Sequence, residues 1–154
     1  ARGPGSFTGV RVGLAAARAL ALAWNAELTG YSTLALLAAQ ARAECGTQAL
    51  TVATTGGHGE WFVQEFGADG LPVSELAALS PAAAASAART ELVAGSQAEA
   101  LVARRGTGTA LALWPDARAF ALLAGANFGP ETTPIYGRAP DARLPGGALP
   151  AGAT

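Results

Sequence analysis

The sequence contains no lysine and no methionine, and only one cysteine (Cys45) and one histidine (His58) in 154 residues. A single cysteine excludes an intrachain disulfide. That fits a reducing compartment, so the cytoplasm is the expected location. One histidine, one cysteine and scattered carboxylates do not make a metal site of ordinary ligand count. Charge is also scarce: 14 % of residues carry it, with a formal net charge of −1. The basic residues, all arginine, are interspersed with acids and form no stripe, which argues against binding nucleic acid unaided. No run reaches roughly 18 unbroken apolar residues, so no membrane partner is expected. There is no solenoid-type repeat and no recognisable secretion signal.

What the chain does have is apolar residues, 51 % of the total. This marks a globular protein rather than a disordered one. Much of that share is alanine, which buries little area, so a shallow core is expected. The length suits one domain, or one lobe plus part of another. The clearest helix runs from residue 8 or 9 to 24, with Val10, Leu14, Ala17, Ala21 and Trp24 on one apolar stripe and Asn25 as its stop. Residues 28–31 read as a short strand. Ser32 caps a second helix through residue 44, with Leu34, Leu37 and Ala38 inward and Gly46 at its end. Residues 50–54 and 61–66 read as a hairpin, and both faces of its second strand carry an aromatic and are expected to be covered. Ser80-Pro81 starts another helix. Residues 92–94 follow as a strand, Ser96 caps a helix to 105, residues 110–114 are a strand, and Asp116 caps a helix to 124. An extended segment at 133–136 and a loose tail after 144 close the chain. Alternating strands and helices make the fold α/β. Trp24, Trp61 and Trp114 are expected in the core.

One stretch stands out: Gly3-Pro4-Gly5-Ser6-Phe7-Thr8-Gly9-Val10-Arg11. Two glycines around a proline force a turn, and Ser6 and Thr8 can each cap the helix that follows. The loop could cradle an anion, with Gly5, Ser6 and Thr8 as the phosphate contacts, or it could simply fix the entry into a packed helix. Arg11 near a helix N-terminus opposes the helix dipole. That conflict points to a task, either pairing an acid on a neighbouring strand or meeting a partner.

The wording of this loop, with Ala15-Ala16-Ala17-Arg18-Ala19 after it, resembles the signature of the bacterial TsaB (YeaZ) family. Tyr31-Ser32-Thr33-Leu34 and Pro134-Ile135-Tyr136-Gly137-Arg138-Ala139-Pro140-Asp141-Ala142 are similar to further family motifs. Gly59-Glu60 matches part of another, "D-A-R-R-G-E-V-Y", whose aspartate and basic positions are missing here. The resemblance implies actin-like ATPase superfamily lobes, sheets flanked by helices, with the first lobe incomplete. On that reading the chain is the C-terminal two-thirds of such a protein. Residues 1–35 belong to the first lobe, 36–144 to the second, and 145–154 to a tail. Marginal stability and exposed apolar surface on the first helix are then expected.

The resemblance further implies a non-catalytic scaffold subunit of the complex that forms threonylcarbamoyladenosine in tRNA. The chain would bind a TsaD-like catalytic subunit through Arg11, Ala15, Arg18, Ala19 and Leu22, and would form a homodimer when alone. A TsaE-like ATPase would join through the complex, which uses ATP, and tRNA would be met only indirectly. No cofactor is expected on this chain. The alternative is a nucleotide-dependent phosphotransferase or ATPase of the same superfamily. A serine hydrolase is disfavoured, because Ser6 is not in a G-x-S-x-G elbow and only His58 could act as base. His58 reads as a solvated loop residue and Cys45 as structural. Glu60 is either a motif residue or a strand-edge charge.

Overall fold

The computed structural model describes residues 1–137. Helix α1 (Phe7–Trp24) is entered through Ser6, whose hydroxyl accepts the Gly9 amide, and ends at Asn25 in the left-handed conformation, φ 48°. Asparagine tolerates that region, so it stops the helix as expected. Helix α2 (Thr33–Cys45) is capped by Ser32 and closed by Gly46.

The sheet comprises β1 (Leu50–Thr55), β2 (Trp61–Phe66), β3 (Ala77–Leu79), β4 (Leu92–Ala94) and β5 (Thr109–Leu111). Its order is β3-β2-β1-β4-β5. β1 pairs antiparallel with β2 and parallel with β4, and β4 pairs parallel with β5. Helix α3 (Pro81–Ala87) has Ser80 as its cap and Pro81 in its first turn, and α4 (Ala98–Arg105) follows β4.

Helices cover both faces. On one side, α2 packs on Leu50, Val52, Phe66 and Leu92. On the other, α3 and α4 pack Ala84 and Leu101 against Ala53, Trp61, Val63 and Val93. The double covering expected for β2 follows from its alternation, with Trp61 and Val63 on one face and Phe66 on the other. More of α2 is buried than one stripe would give: Leu34–Ala39 and Ala41 are all buried, including Leu36 at 3 %. The reason is a second layer outside it. The 3₁₀ helix Ala117–Leu122 and the residues after it, with Leu123 buried, close over α2.

Several expectations need correction. Residues 28–31 form no strand; Gly30 makes only an isolated bridge to Gly129. Ser96 does not cap α4. Gln97 holds that position without a side-chain bond, and the Ser96 hydroxyl accepts the Thr55 amide at 3.1 Å instead. The strand read at 110–114 is Thr109–Leu111, and the helix after Asp116 is 3₁₀, although Asp116 does cap it. Strand β3 had no sequence signal beyond three small or apolar residues, and it pairs at the edge through its backbone. Trp61 is buried as expected, but Trp24 and Trp114 are 71 % and 65 % exposed. Cys45 is exposed at the end of α2. The tail after 144 lies outside the described residues.

Candidate functional site

Three stretches far apart in sequence meet beside α1. The Arg2 amide donates to the Tyr31 carbonyl, the Thr33 amide to the Gly3 carbonyl, and the Ile135 amide to the Arg2 carbonyl, each at 2.8 Å. Gly30 and Gly129 exchange backbone bonds of 2.8 and 3.0 Å. These stretches carry the loop, the Tyr31–Leu34 motif and the start of the terminal motif. Of the last, Arg138 to Ala142 lie outside the described residues.

Arginines complete the junction. Arg2 Nε donates to the Thr133 carbonyl at 2.9 Å, and Arg18 Nη2 to the Thr132 carbonyl at 2.8 Å. Arg11 Nε donates to Tyr136 Oη at 2.8 Å, with its guanidinium 3.7 Å above the Phe7 ring. The Phe7 and Tyr136 rings are 5.7 Å apart. The dipole conflict at Arg11 therefore has a different answer from the acid pair considered in the sequence: the guanidinium meets a phenol and an aromatic face. Nothing in the sequence of Tyr136 alone marks it as this partner. Its membership of a quoted motif was the available signal.

Gly3 and Pro4 are buried at this junction and joined by a cis peptide. Gly5, Ser6, Thr8 and Gly9 are exposed. The Ser6 hydroxyl is engaged with the Gly9 amide at 3.3 Å, so its task here is capping. Among the described residues, no group of three or more His, Cys, Asp or Glu could hold a metal ion. Glu60 and His58 are placed elsewhere, in the β1–β2 turn. There the Glu60 carbonyl accepts the Gly56 amide at 2.8 Å, its amide reaches the Gly57 carbonyl at 3.1 Å, and His58 has φ 56°.

The rest of α1 is open. Leu14 is its one buried residue among those described, although Val10, Ala17 and Ala21 of the same stripe are half-buried. Arg11, Ala15, Arg18, Ala19 and Leu22 share one side and are all exposed, Leu22 by 85 %. Val12 and Leu20 extend the exposed apolar surface around the helix. Exposed apolar surface on this helix was expected, and it is present. A concavity of about 390 Å³ runs along Val10, Gly13, Leu14 and Ala17 toward Gly30. A second, of about 530 Å³, lies at the helix end between Arg18, Leu22, Asn25 and Glu27. By length and composition α1 also meets the threshold for a membrane-crossing helix, with mean hydropathy 1.2. The helix holds no unbroken apolar run of that length, because Arg11 and Arg18 interrupt it. Both arginines are bonded within the chain.

The five-stranded mixed sheet, covered by helices on both faces, is of the actin-like ATPase type. A family described as TsaD, tRNA N6-adenosine threonylcarbamoyltransferase, matches residues 1–70. A solved structure of an uncharacterized protein from Pseudomonas aeruginosa, described as similar to peptidase YeaZ, is 28 % identical with TM-score 0.74. The match covers 89 % of this chain and 71 % of that one. YeaZ from Pseudomonas aeruginosa is 25 % identical with TM-score 0.71, the match covering 87 % and 70 %. No curated protein sequence matches the chain. The chain is thus similar in structure to YeaZ proteins, and its first 70 residues are similar to the TsaD family.

Proposed function

We propose that the chain is a non-catalytic accessory subunit of a tRNA threonylcarbamoyl-transfer system. It docks a TsaD-like catalytic subunit on the exposed side of α1, around Ala15, Ala19 and Leu22, with Arg11 and Arg18 along the border. The observation that carries this reading is the similarity to YeaZ structures and to the TsaD family, together with an 18-residue helix of which a single residue is buried. Apolar surface of this extent is costly to leave in water and marks interaction sites. Small residues at 15 and 19 allow a partner helix to approach closely. These similarities support the tRNA-modification setting. The weak charge of the chain, −1 overall, supports leaving the tRNA contacts to the partner. ATP and a TsaE-like ATPase then act on the complex, in the cytoplasm. Without its partner, the same surface brings two copies of the chain together.

Reconstitution tests this. The TsaD-like subunit and its ATPase should modify tRNA only when this chain is added, and this chain alone should turn over neither ATP nor peptide substrates. Turnover by the chain alone, lost in Ser6→Ala or Thr8→Ala, would replace the scaffold reading with that of a nucleotide-dependent enzyme.

A further inference from the structure

We infer that residues 129–137 are a strap that sets the orientation of α1 against the rest of the molecule. The inference deepens the docking reading, and rests on it only for its consequence for partner binding.

The core does not hold α1. Among the described residues, neither core cluster includes any residue of this helix. The strap supplies what the core does not. Along one side it takes hydrogen bonds from Arg18 at Thr132 and from Arg11 at Tyr136, and the Tyr136 ring rests near Phe7. Along its other side it is fixed to the body. Gly129 is paired with Gly30, and Ile135 with Arg2. Phe128, the residue before it, packs edge-on against Tyr31 at 5.9 Å. Gly137 lies so close to Phe62 of β2 that any side chain there would strike the ring. One segment therefore touches the sheet at one end and grips α1 at two points about two helical turns apart, Arg11 and Arg18.

The grips are exposed hydrogen bonds, each worth little and each reversible. Segments held this way sit at the low-stability end of a structure and open ahead of the core. Arg11 and Arg18 also border the proposed docking side, so strap closure and partner docking share two residues. Closure presents the face of α1 at a fixed angle, and release lets the helix swing. Partner binding is thereby coupled to strap closure.

Amide hydrogen exchange on the isolated full chain tests the strap without any partner, so failure of the docking reading leaves this test intact. Tyr136→Phe removes the acceptor for Arg11 and keeps the ring. Exchange should rise about two- to tenfold at Gly30, Gly129, Ile135 and along α1, the range expected from one net hydrogen bond. Exchange in β1, β2 and β4 should be unchanged. Arg11→Gln should do the same, and the double variant should do no more than either alone. Unchanged exchange in α1, additive effects of the two substitutions, or an equal rise throughout the sheet would each overturn the strap.

Discussion

Gly3 has φ 100°, and a side chain added there would come within 2.9 Å of the Ile135 carbonyl. Both facts demand glycine, the first through backbone conformation and the second through close approach of the strap. Gly3→Ala should therefore cost about 1–3 kcal/mol, read as a lower denaturant midpoint. The sequence showed that a turn was needed here. It did not show that the turn packs against a segment more than a hundred residues later. The same limit applies to Arg11, whose conflict with the helix dipole was legible while its partner was not. Tyr31 is a further case. Burial raises its phenol above the ordinary value of 10.0. It packs against Phe120 and Phe128 at 5.6 and 5.9 Å. The folded state holds that proton more tightly than the unfolded chain does. The resulting stabilisation is complete below the unfolded value and is lost as pH rises through the folded one. A pH series of denaturation midpoints should show Tyr31→Phe losing less stability than the parent above about pH 10.

At the level of elements, caps and hairpin chemistry carried through. Ser6, Ser32 and Ser80 all cap helices, and Asn25 and Gly46 end them. These signals are local, so they are readable from a few residues. Burial is not local. Leu37 and Leu22 sit on similar alanine-rich helices, yet one is fully buried and the other 85 % exposed. Leu37 lies on the stripe that periodicity turns inward, but the burial of Leu36 outside that stripe comes from the layer of residues 117–123 over α2, which periodicity cannot reveal. Trp24 and Trp114 were misplaced for the same reason: aromatic content gives a wish for burial and does not supply a neighbour. The consequence is measurable. Leu37→Ala should cost about 2–5 kcal/mol by leaving a cavity. Leu22→Ala should change stability by less than about 0.5 kcal/mol. Urea denaturation of both variants checks the contrast, and equal costs would mean α1 is packed in solution.

Considered whole, the molecule is a well-covered sheet with a long helix attached at one side. The sheet is doubly covered and holds both core clusters. The helix is covered on one narrow line and held largely by arginines to the strap. This asymmetry is what a docking subunit needs: a stable body and an unfinished surface. The fold class was readable from the strand and helix alternation. The convergence of the loop with residues 129–137 was not, because it depends on long-range pairing of irregular segments. The most direct test is the affinity of this chain for the TsaD-like subunit of the same organism, measured by calorimetry for the parent, Ala19→Glu and Leu22→Glu. Both positions are exposed, so the fold should survive, as circular dichroism would verify. The account predicts binding by the parent and a loss of at least about tenfold in each variant, the effect of burying an unpaired charge in an interface. Binding that neither substitution disturbs, or no binding by the parent, would contradict it.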